Sequence, residues 1–442
     1  MYRKILLAIA LLVSVVNISL AQRPRICGTM EAYELQKSND PGFVQRRQQI
    51  EDQTSAFIAA RAQTAGRTDA IITIPVVFHI VYSSSTQNIS DLQCQAQISQ
   101  LNLDYARLNT DRTSTPSAFS TLAANTNIQF CLAQRSPTGA ATTGIERRQT
   151  TSSSFSTNDA VKKYSSGGLD AWPAGSYLNL WVCNLSGGVL GYAQFPGGAA
   201  ATDGVVLGYG TVGSMLRPGS DATYNYGRTA THEVGHWLNL YHIWGDDNGA
   251  CTGSDNVGDT PNQSAENYGC PSYPKTDNCS PSSPGVMFMN YMDYTDDRCM
   301  NMFTTGQSAR MNALFASNGA RAAITLSSGC NPVSGCAAPS GVTVSNISGT
   351  AATISWTAAS GATGYTVSAC IAGTTTCLTA NTSSTSTTFT NLTGSTSYSV
   401  SVTATCSAGT STPATGSFTT LATSCGNPTG LTVSSINSSG AT

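Results

Sequence analysis

The sequence predicts an α+β domain, in which a sheet backs a central helix, followed by an all-β sandwich. Strand and helix patterns alternate between residues 71 and 240, as expected of a sheet that packs against helices. After Arg321 there is no Asp, Glu, Lys, Arg or His through Thr442, which indicates a different kind of domain. Within this tail, segment 336–345 recurs 89 positions later at 425–434, a period typical of one β-sandwich domain.

In the α+β region, β-rich apolar runs predict strands and apolar residues at helical spacing predict helices. The predicted strands span residues 71–82, 127–133, 177–184 and 205–209, and the predicted helices span residues 91–109 and about 226–240. His79 stands within the first of these strands, and we interpret it as a strand residue rather than a metal ligand.

The tail shows the alternation of half-buried strands, with Gly, Ser and Thr between them, at residues 352–356, 364–368 and 398–402. Trp356, Tyr365 and Tyr398 stand where core aromatic residues are expected, and the unit resembles a fibronectin type III domain. We expect this domain to span residues 336–422 and a second, truncated repeat to span residues 425–442. The repeats are expected to space the protein or to bind a surface, polysaccharide or protein target.

The N-terminus has the pattern of a secretory signal peptide. Arg3 and Lys4 precede an apolar run over residues 5–16, and Ser19-Leu20-Ala21 forms a small-x-small cleavage site. A membrane anchor needs about 20 apolar residues, and this run is interrupted too early. We therefore expect removal of residues 1–21, secretion, and no membrane-spanning segment.

The composition agrees with export. Charged residues make up 10% of the chain, against about 25% in a typical globular protein. The formal net charge is −2 and there is no basic run, so nothing favours nucleic acid or an anionic membrane as a partner. Fourteen cysteines in an exported chain indicate disulfides.

Residues 22–67 are polar and rich in Arg and Gln, and we interpret them as a short helical pro-segment. Arg61 and Arg67 bracket the expected processing site. The α+β domain is then expected to span residues 68–330.

Three of the four histidines stand within eleven residues, in the pattern H-E-x-x-H-x-x-x-x-x-H that begins at His232. On a helix, His232 and His236 project from one face and suit Zn²⁺, which in catalytic sites leaves one position for water. Glu233 lies beside that face and can take a proton from the water, as a general base.

The third ligand is either His242 or a carboxylate. Because only Glu266 follows Glu233, in a loop-like stretch, we favour His242.

His242 can reach the metal only if the helix ends and the chain turns back. Asn239 stands at the required turn. After Gly, Asn is the residue that most readily adopts the left-handed conformation of a helix C-terminus, so it is compatible with this turn.

At these residues the sequence resembles the metzincin clan of zinc proteases, and more closely its pappalysin family. HEVGHWLNLYH, residues 232–242, matches the extended motif of the family except for Asn239 in place of the usual Gly, and residues 289–304 match its Met-turn segment. The resemblance covers about residues 70–330 and implies a metzincin-like fold with a loop-rich lower subdomain.

The resemblance also implies roles for three residues of the Met-turn segment. Met292 is expected to be the Met-turn residue beneath the zinc, and Tyr294 is expected to stabilise the tetrahedral intermediate. Asp297 is expected to line the S1′ pocket and to select Arg after the scissile bond. An exposed loop carboxylate is the alternative for Asp297.

Between the zinc motif and the Met-turn lies a segment rich in Gly, Pro and Asn, which needs covalent cross-links. Its four cysteines allow three pairings, and the resemblance implies Cys251–Cys279 and Cys270–Cys299. Family members bind structural Ca²⁺ in this region. The candidate oxygen ligands are Asp255, Asp259 and Thr260, with solvated turn residues as the alternative.

Cys27, in Arg-Ile-Cys-Gly-Thr, resembles the latency segment of the family. As a thiolate it would occupy the water position of the zinc until the pro-segment is cleaved, which makes it a candidate zymogen switch. A disulfide with Cys94, Cys131 or Cys183 is the alternative.

The sequence therefore predicts a secreted zinc endopeptidase that cleaves polypeptides and prefers Arg or Lys next to the scissile bond. One alternative is an adhesive protein with a vestigial protease domain, and another is a zinc hydrolase that acts on other substrates. Retention of the three histidines and Glu233 argues against the first, and the Met-turn match disfavours the second.

Overall fold

The computed structural model describes residues 24–63, 70–333, 336–406 and 409–423, together with positions 430, 434, 438 and 439. The predicted signal peptide, Arg67 and most of the predicted second repeat lie outside the described residues. Within the described ranges, no helix is long and apolar enough to cross a membrane.

The helices are α1 (Thr29–Asn39), α2 (Phe43–Ala62), α3 (Asp91–Tyr105), α4 (Ser117–Ser120), α5 (Arg228–Trp237) and α6 (Thr305–Ala313). The strands before α5 are β1 (Ile72–Tyr82), β2 (Ile128–Leu132), β3 (Ile145–Gln149), β4 (Leu178–Cys183), β5 (Gly191–Ala193) and β6 (Val205–Gly208). The strands after α6 are β7 (Ser340–Ser345), β8 (Ala351–Thr357), β9 (Ala362–Ile371), β10 (Cys377–Thr382), β11 (Ser386–Thr390), β12 (Ser397–Cys406), β13 (Gly409–Thr410) and β14 (Ala414–Thr419).

A six-stranded sheet forms the frame of the described catalytic region, in the order β2-β1-β4-β6-β5, with β3 also paired to β1. Strand β1 pairs in parallel with β2 through its first half and with β3 through its second half, and β4 lies on its other side. Such a strand is buried on both faces, which is why its sequence is a nearly continuous apolar run. The short strand β5 is antiparallel to β6 and ends the sheet.

Helices α3 and α5 pack against this sheet and enclose the main hydrophobic core. Helix α3 begins at the N-cap Ser90, whose hydroxyl accepts a hydrogen bond from Gln93 N. It ends at Tyr105, four residues earlier than the pattern predicts, and Arg107 beyond it has a positive φ of 53°. The Tyr105 hydroxyl donates to Thr231 O, which ties α3 to α5.

The segment that we interpret as a pro-segment is helical, in α1 and α2. It packs against the catalytic region, where Phe43 is fully buried and Ile50 joins the main core. Arg310 of α6 donates to both carboxylate oxygens of Glu51 at 2.9 Å. Two buried apolar side chains and an ion pair therefore hold α2 in place.

The segment between α5 and α6 has loops and turns instead of long elements, and disulfides cross-link it. Cys251 is bonded to Cys279 and Cys270 to Cys299, the same pairing that the resemblance implies. A further disulfide, Cys131–Cys330, joins β2 to the end of the catalytic region.

The tail folds as a β-sandwich, which confirms the predicted fold class. One sheet has the order β10-β9-β12-β13 with β14 on β12, and the other has the order β11-β8-β7. Trp356, Tyr365 and Tyr398 lie in its core as predicted, and all three are at most 5% exposed.

Candidate metal centre

Helix α5 carries the first half of the zinc motif. All ten of its residues are buried, and His232 and His236 lie one turn apart. A Cβ on Gly235 would lie 2.5 Å from the sulfur of Met292, so only glycine lets the Met-turn approach the helix. Met292 is itself fully buried and lies against the motif, where the resemblance expects it.

The chain reverses directly after α5. Asn239 has a positive φ of 72°, the left-handed conformation that we predict for this position. Leu240 N donates to Gly235 O at 3.0 Å, which closes the turn. His242 is thereby carried back to the two histidines of the helix. Glu266 is not part of this cluster, and its carboxylate accepts from the Tyr268 hydroxyl.

The three imidazoles of the motif converge. The Nε2 atom of His236 lies 3.1 Å from Nε2 of His232 and 3.1 Å from Nε2 of His242. Each Nδ1 atom faces an acceptor: Tyr291 O for His232, Leu240 O for His236, and the carboxylate of Asp246 for His242. A neutral imidazole that donates through Nδ1 has its lone pair on Nε2, so three lone pairs point at one another.

Burial controls the charge of these groups. Burial and the neighbouring imidazoles hold the pKa of His232 and His236 well below the usual value, so both rings are neutral. Burial also raises the pKa of Glu233 to about 7, against opposing hydrogen bonds from Thr29 and Cys27. Two neutral imidazoles therefore lie beside one carboxyl group that is poised to exchange a proton.

Cys27 is the fourth member of the cluster. Its sulfur lies 3.6 Å from His236 Nε2 and 3.4 Å from Glu233 Oε2, and the ligand atoms of Cys27 and the three histidines all lie within 4.8 Å of one another. Cys27 forms no disulfide, so the alternative pairing with Cys94, Cys131 or Cys183 is wrong. Burial and the nearby Glu233 raise the pKa of the Cys27 thiol, so its thiolate form requires a cation beside it.

The backbone around Cys27 lies along the edge strand β5. Gly28 N donates to Gly191 O, and Leu190 N donates to Ile26 O. The Thr29 hydroxyl donates to Glu233 Oε2 at 2.8 Å and accepts from Ala193 N. Sequence reasoning missed Thr29, because nothing in the pattern connects it with a glutamate 204 residues away.

Tyr294 reaches the cluster from the Met-turn segment. Its hydroxyl lies 3.3 Å from His242 Nε2, and its ring packs edge-on against Trp244. Burial, Cys27 and Glu233 raise the pKa of this phenol well above its usual value, so it carries its proton and can donate a hydrogen bond.

Asp297 is buried, not an exposed loop carboxylate, so that alternative is wrong. One of its oxygens pairs with the guanidinium of Arg25 at 2.5 Å, and the other accepts from Tyr226 N and Arg228 N. The Arg25 guanidinium also lies 4.7 Å from the ring centre of Tyr224. Arg25, two residues before Cys27, therefore occupies a pocket beside the cluster that has a carboxylate at its end.

The predicted calcium ligands make hydrogen bonds within the protein. Asp255 accepts from the Thr260 hydroxyl at 2.8 Å and from Val257 N. Asp259 instead accepts from the Thr304 hydroxyl and from Gly306 N, at the start of α6. The carboxylate of Asp259 is thus directed at a helix N-terminus, where a negative charge is stabilising.

His79 is buried in β1, as its interpretation as a strand residue requires. Its two ring nitrogens contact Glu146 Oε2 at 3.0 Å and Asn179 Oδ1 at 2.9 Å. It is absent from the cluster around Cys27.

Two family models match separate parts of this chain. The family model described as pregnancy-associated plasma protein-A, of the M43 peptidases, matches residues 161–316, and the fibronectin type III model matches residues 337–420. An extracellular metalloprotease of Arthroderma otae is 35% identical over 274 residues, which cover 61% of this chain and 87% of that protein. The chain belongs to the pappalysin family.

Solved structures agree with this membership. Mature mirolysin of Tannerella forsythia, in complex with a cleaved peptide, is 54% identical, with a TM-score of 0.57 over 59% of this chain and 97% of that one. A mutant of Tannerella forsythia promirolysin is 49% identical, with a TM-score of 0.62 over 68% of this chain and 97% of that one. The predicted metzincin fold and metalloendopeptidase class of this pappalysin are thereby confirmed.

Proposed function

We propose that this pappalysin is a secreted zinc endopeptidase whose metal is held by His232, His236 and His242. The convergence of the three Nε2 atoms carries the proposal. The Nε2 atom of His236 lies 3.1 Å from each of the other two, close to the roughly 3.3–3.4 Å expected for nitrogens about 2.0–2.1 Å from one tetrahedral ion. Three facing lone pairs repel one another unless a cation lies between them, so the donor set fits Zn²⁺.

The residues around this site suit peptide hydrolysis. When bound, zinc supplies a Lewis acid that makes water acidic and polarises the scissile carbonyl. Glu233 takes the proton of the attacking water, and its pKa of about 7 in the latent form suits a base that works near neutral pH. Tyr294 keeps its own proton and donates a hydrogen bond to the carbonyl oxygen as negative charge develops there.

The contacts of Arg25 support a preference for Arg next to the scissile bond. Its guanidinium pairs with Asp297, lies over the Tyr224 ring and donates to the Thr229 hydroxyl at 3.4 Å. We propose that a substrate arginine makes the same contacts once Arg25 has left. A carboxylate and a ring face suit a planar guanidinium better than an ammonium, so Arg is preferred over Lys.

Cys27 supports latency by the pro-segment. Its sulfur lies beside the histidine cluster, where it would take the position of the zinc-bound water. Thr29 adds a second block, because its hydroxyl hydrogen-bonds the carboxylate that acts as the base. Cleavage after Arg61 or Arg67 would allow the segment to leave and both blocks to be lifted.

Secretion is supported by relatives that are named extracellular metalloproteases and by the predicted signal peptide. The fibronectin-like tail is proposed to space or target the enzyme.

Calcium binding at Asp255, Asp259 and Thr260 stays a prediction. It requires Asp259 to exchange its contacts at α6 for an ion, and calorimetric titration with Ca²⁺ tests it.

Digestion of a denatured protein by the processed enzyme tests the proposal. We expect one bound zinc, loss of activity with a chelator, and a fall in kcat of about 10²–10⁴-fold for Glu233→Ala with zinc retained. Glu266→Ala is the matched control, because that carboxylate contacts the Tyr268 hydroxyl instead of the cluster, and it should keep wild-type activity. A zinc-free wild-type protein, or full turnover by Glu233→Ala, would contradict the mechanism.

A further inference from the structure

The three histidines of the metal centre are not oriented by the same kind of group. His232 and His236 each direct Nδ1 at a backbone carbonyl, at 2.7 Å and 2.8 Å. His242 directs Nδ1 at a carboxylate, with Asp246 Oδ1 at 2.8 Å and Oδ2 at 3.0 Å. A carbonyl orients an imidazole, whereas a carboxylate orients it and adds a full negative charge behind the ligand.

His242 is also the ligand with the least support from regular structure. His232 and His236 belong to α5, whereas His242 follows the turn at Asn239. The ring of Trp244 stacks on the ring of His242, with the centres 4.3 Å apart and the planes 6° from parallel. Stacking fixes the plane of the ring, but rotation within that plane remains to be fixed by a hydrogen bond.

The turn after Trp244 delivers that hydrogen bond. Gly245 N donates to His242 O, and both Gly245 and Asp246 have positive φ, at 71° and 51°. A Cβ on Gly245 would lie 2.6 Å from Ser254 N, so the turn is packed tightly against the next loop segment. Asp246 thus holds an uncommon backbone conformation that brings its carboxylate back to His242.

We propose that Asp246 is the positioning residue of the third metal ligand and sets how tightly the site holds zinc. It accepts a hydrogen bond from His242 Nδ1–H, which leaves the lone pair on Nε2, and it places a negative charge close to the three imidazoles. This charge stays when Cys27 departs with the pro-segment. The inference rests on the proposed zinc site.

The test measures zinc affinity of the full chain by competition with a chromophoric chelator. Asp246→Ala should weaken zinc binding by about 10–100-fold. Asp246→Asn should lose less zinc affinity than Asp246→Ala, because the amide oxygen still accepts from Nδ1–H. It should still bind zinc more weakly than wild type, because the amide carries no charge. Asp247→Asn is the matched control, because it removes the same charge one residue away. The hydrogen bonds of the Asp247 carboxylate come from backbone N–H groups of its own loop. The zinc affinity of this variant should stay within about twofold of wild type.

A second readout separates positioning from general stability. The thermal midpoint of the metal-free protein should be the same for Asp246→Asn and Asp247→Asn, while added zinc should raise the midpoint less in Asp246→Asn. Wild-type zinc affinity in both Asp246 variants would overturn the inference and leave the zinc site intact. A wild-type chain that binds no zinc would overturn the proposed function itself.

Discussion

The catalytic region buries charged side chains in its interior, whereas the interior of the tail sandwich is apolar. In the catalytic region, Asp104, Arg228 and Asp297 are at most 1% exposed and pair with other polar groups in the interior. The described tail has no acidic or basic side chain, and its interior is aliphatic and aromatic. Buried charges hold a reactive site in one geometry, whereas the tail is held by an apolar core and by the disulfides Cys336–Cys406 and Cys370–Cys377.

The buried network around Asp104 is where this difference should have its largest effect. Asp104 accepts from the hydroxyls of Thr231 and Tyr291 and pairs with Arg228 at 3.4 Å. Asp104→Ala leaves a buried cation short of one partner and should lower the free energy of unfolding of the catalytic region by about 3–5 kcal/mol. Calorimetry of the full chain checks this, because the tail should keep its own transition.

Asp111→Ala is the control for that variant, since Asp111 pairs with the same guanidinium but its side chain is 17% exposed. Asp111→Ala should lower the free energy of unfolding clearly less than Asp104→Ala does. Equal losses for the two variants, or a shift of the tail transition with Asp104→Ala, would show that burial of charge is not what separates the two regions.

Asp297→Asn should have the next largest effect, on specificity. Without the charge, kcat/KM for substrates with Arg after the scissile bond should fall by about 10²-fold, while substrates with an apolar residue there change little. Cleavage of a peptide library by the processed enzyme measures the ratio. Asp296→Asn, which removes a buried carboxylate that pairs with Arg298, should leave the Arg preference unchanged.

A smaller change tests whether the apolar core stabilises the tail without affecting the active site. Ile354→Val removes one methylene from a fully buried position in the sandwich and should cost about 0.5–1.5 kcal/mol in its unfolding. Peptidase activity should not change. A drop in kcat for this variant would mean that the tail supports the active site directly.

The smallest effect is expected on the tail surface. The hydroxyls of Thr353 and Thr388 lie 3.0 Å apart across two paired strands. Thr353→Val keeps the shape and loses this hydrogen bond in contact with water, so the unfolding free energy should stay within about 0.5 kcal/mol of wild type. A larger loss, seen by chemical denaturation, would indicate that hydroxyl pairs stabilise the sandwich.

In the described tail, alternation predicted β8, β9 and β12, the strands that carry the predicted core aromatic residues, but not the other five strands. In the catalytic region, four elements escaped prediction, namely the four-residue helix α4, the strands β3 and β5, and the helix α6. Strand β3 reads Ile-Glu-Arg-Arg-Gln and lacks an apolar pattern, and β5 has only three residues. Helix α6 buries Gln307, Arg310 and Asn312, so its buried face carries polar residues and no apolar stripe marks it.

The candidate site was predictable to the extent that its residues are close in sequence. The histidine spacing and the turn at Asn239 could be argued from local geometry. The contacts of Arg25 with Asp297 and of Thr29 with Glu233 join residues more than 200 positions apart. No periodicity encodes such pairs, because they arise only when the pro-segment lies along β5.

The position of the metal in the latent full chain tests the central claim most directly. Diffraction data collected on both sides of the zinc absorption edge would locate zinc by its anomalous signal. We predict one strong peak between the Nε2 atoms of His232, His236 and His242, within bonding distance of the sulfur of Cys27. A zinc peak at any other place, or no peak among the three histidines, would contradict the account.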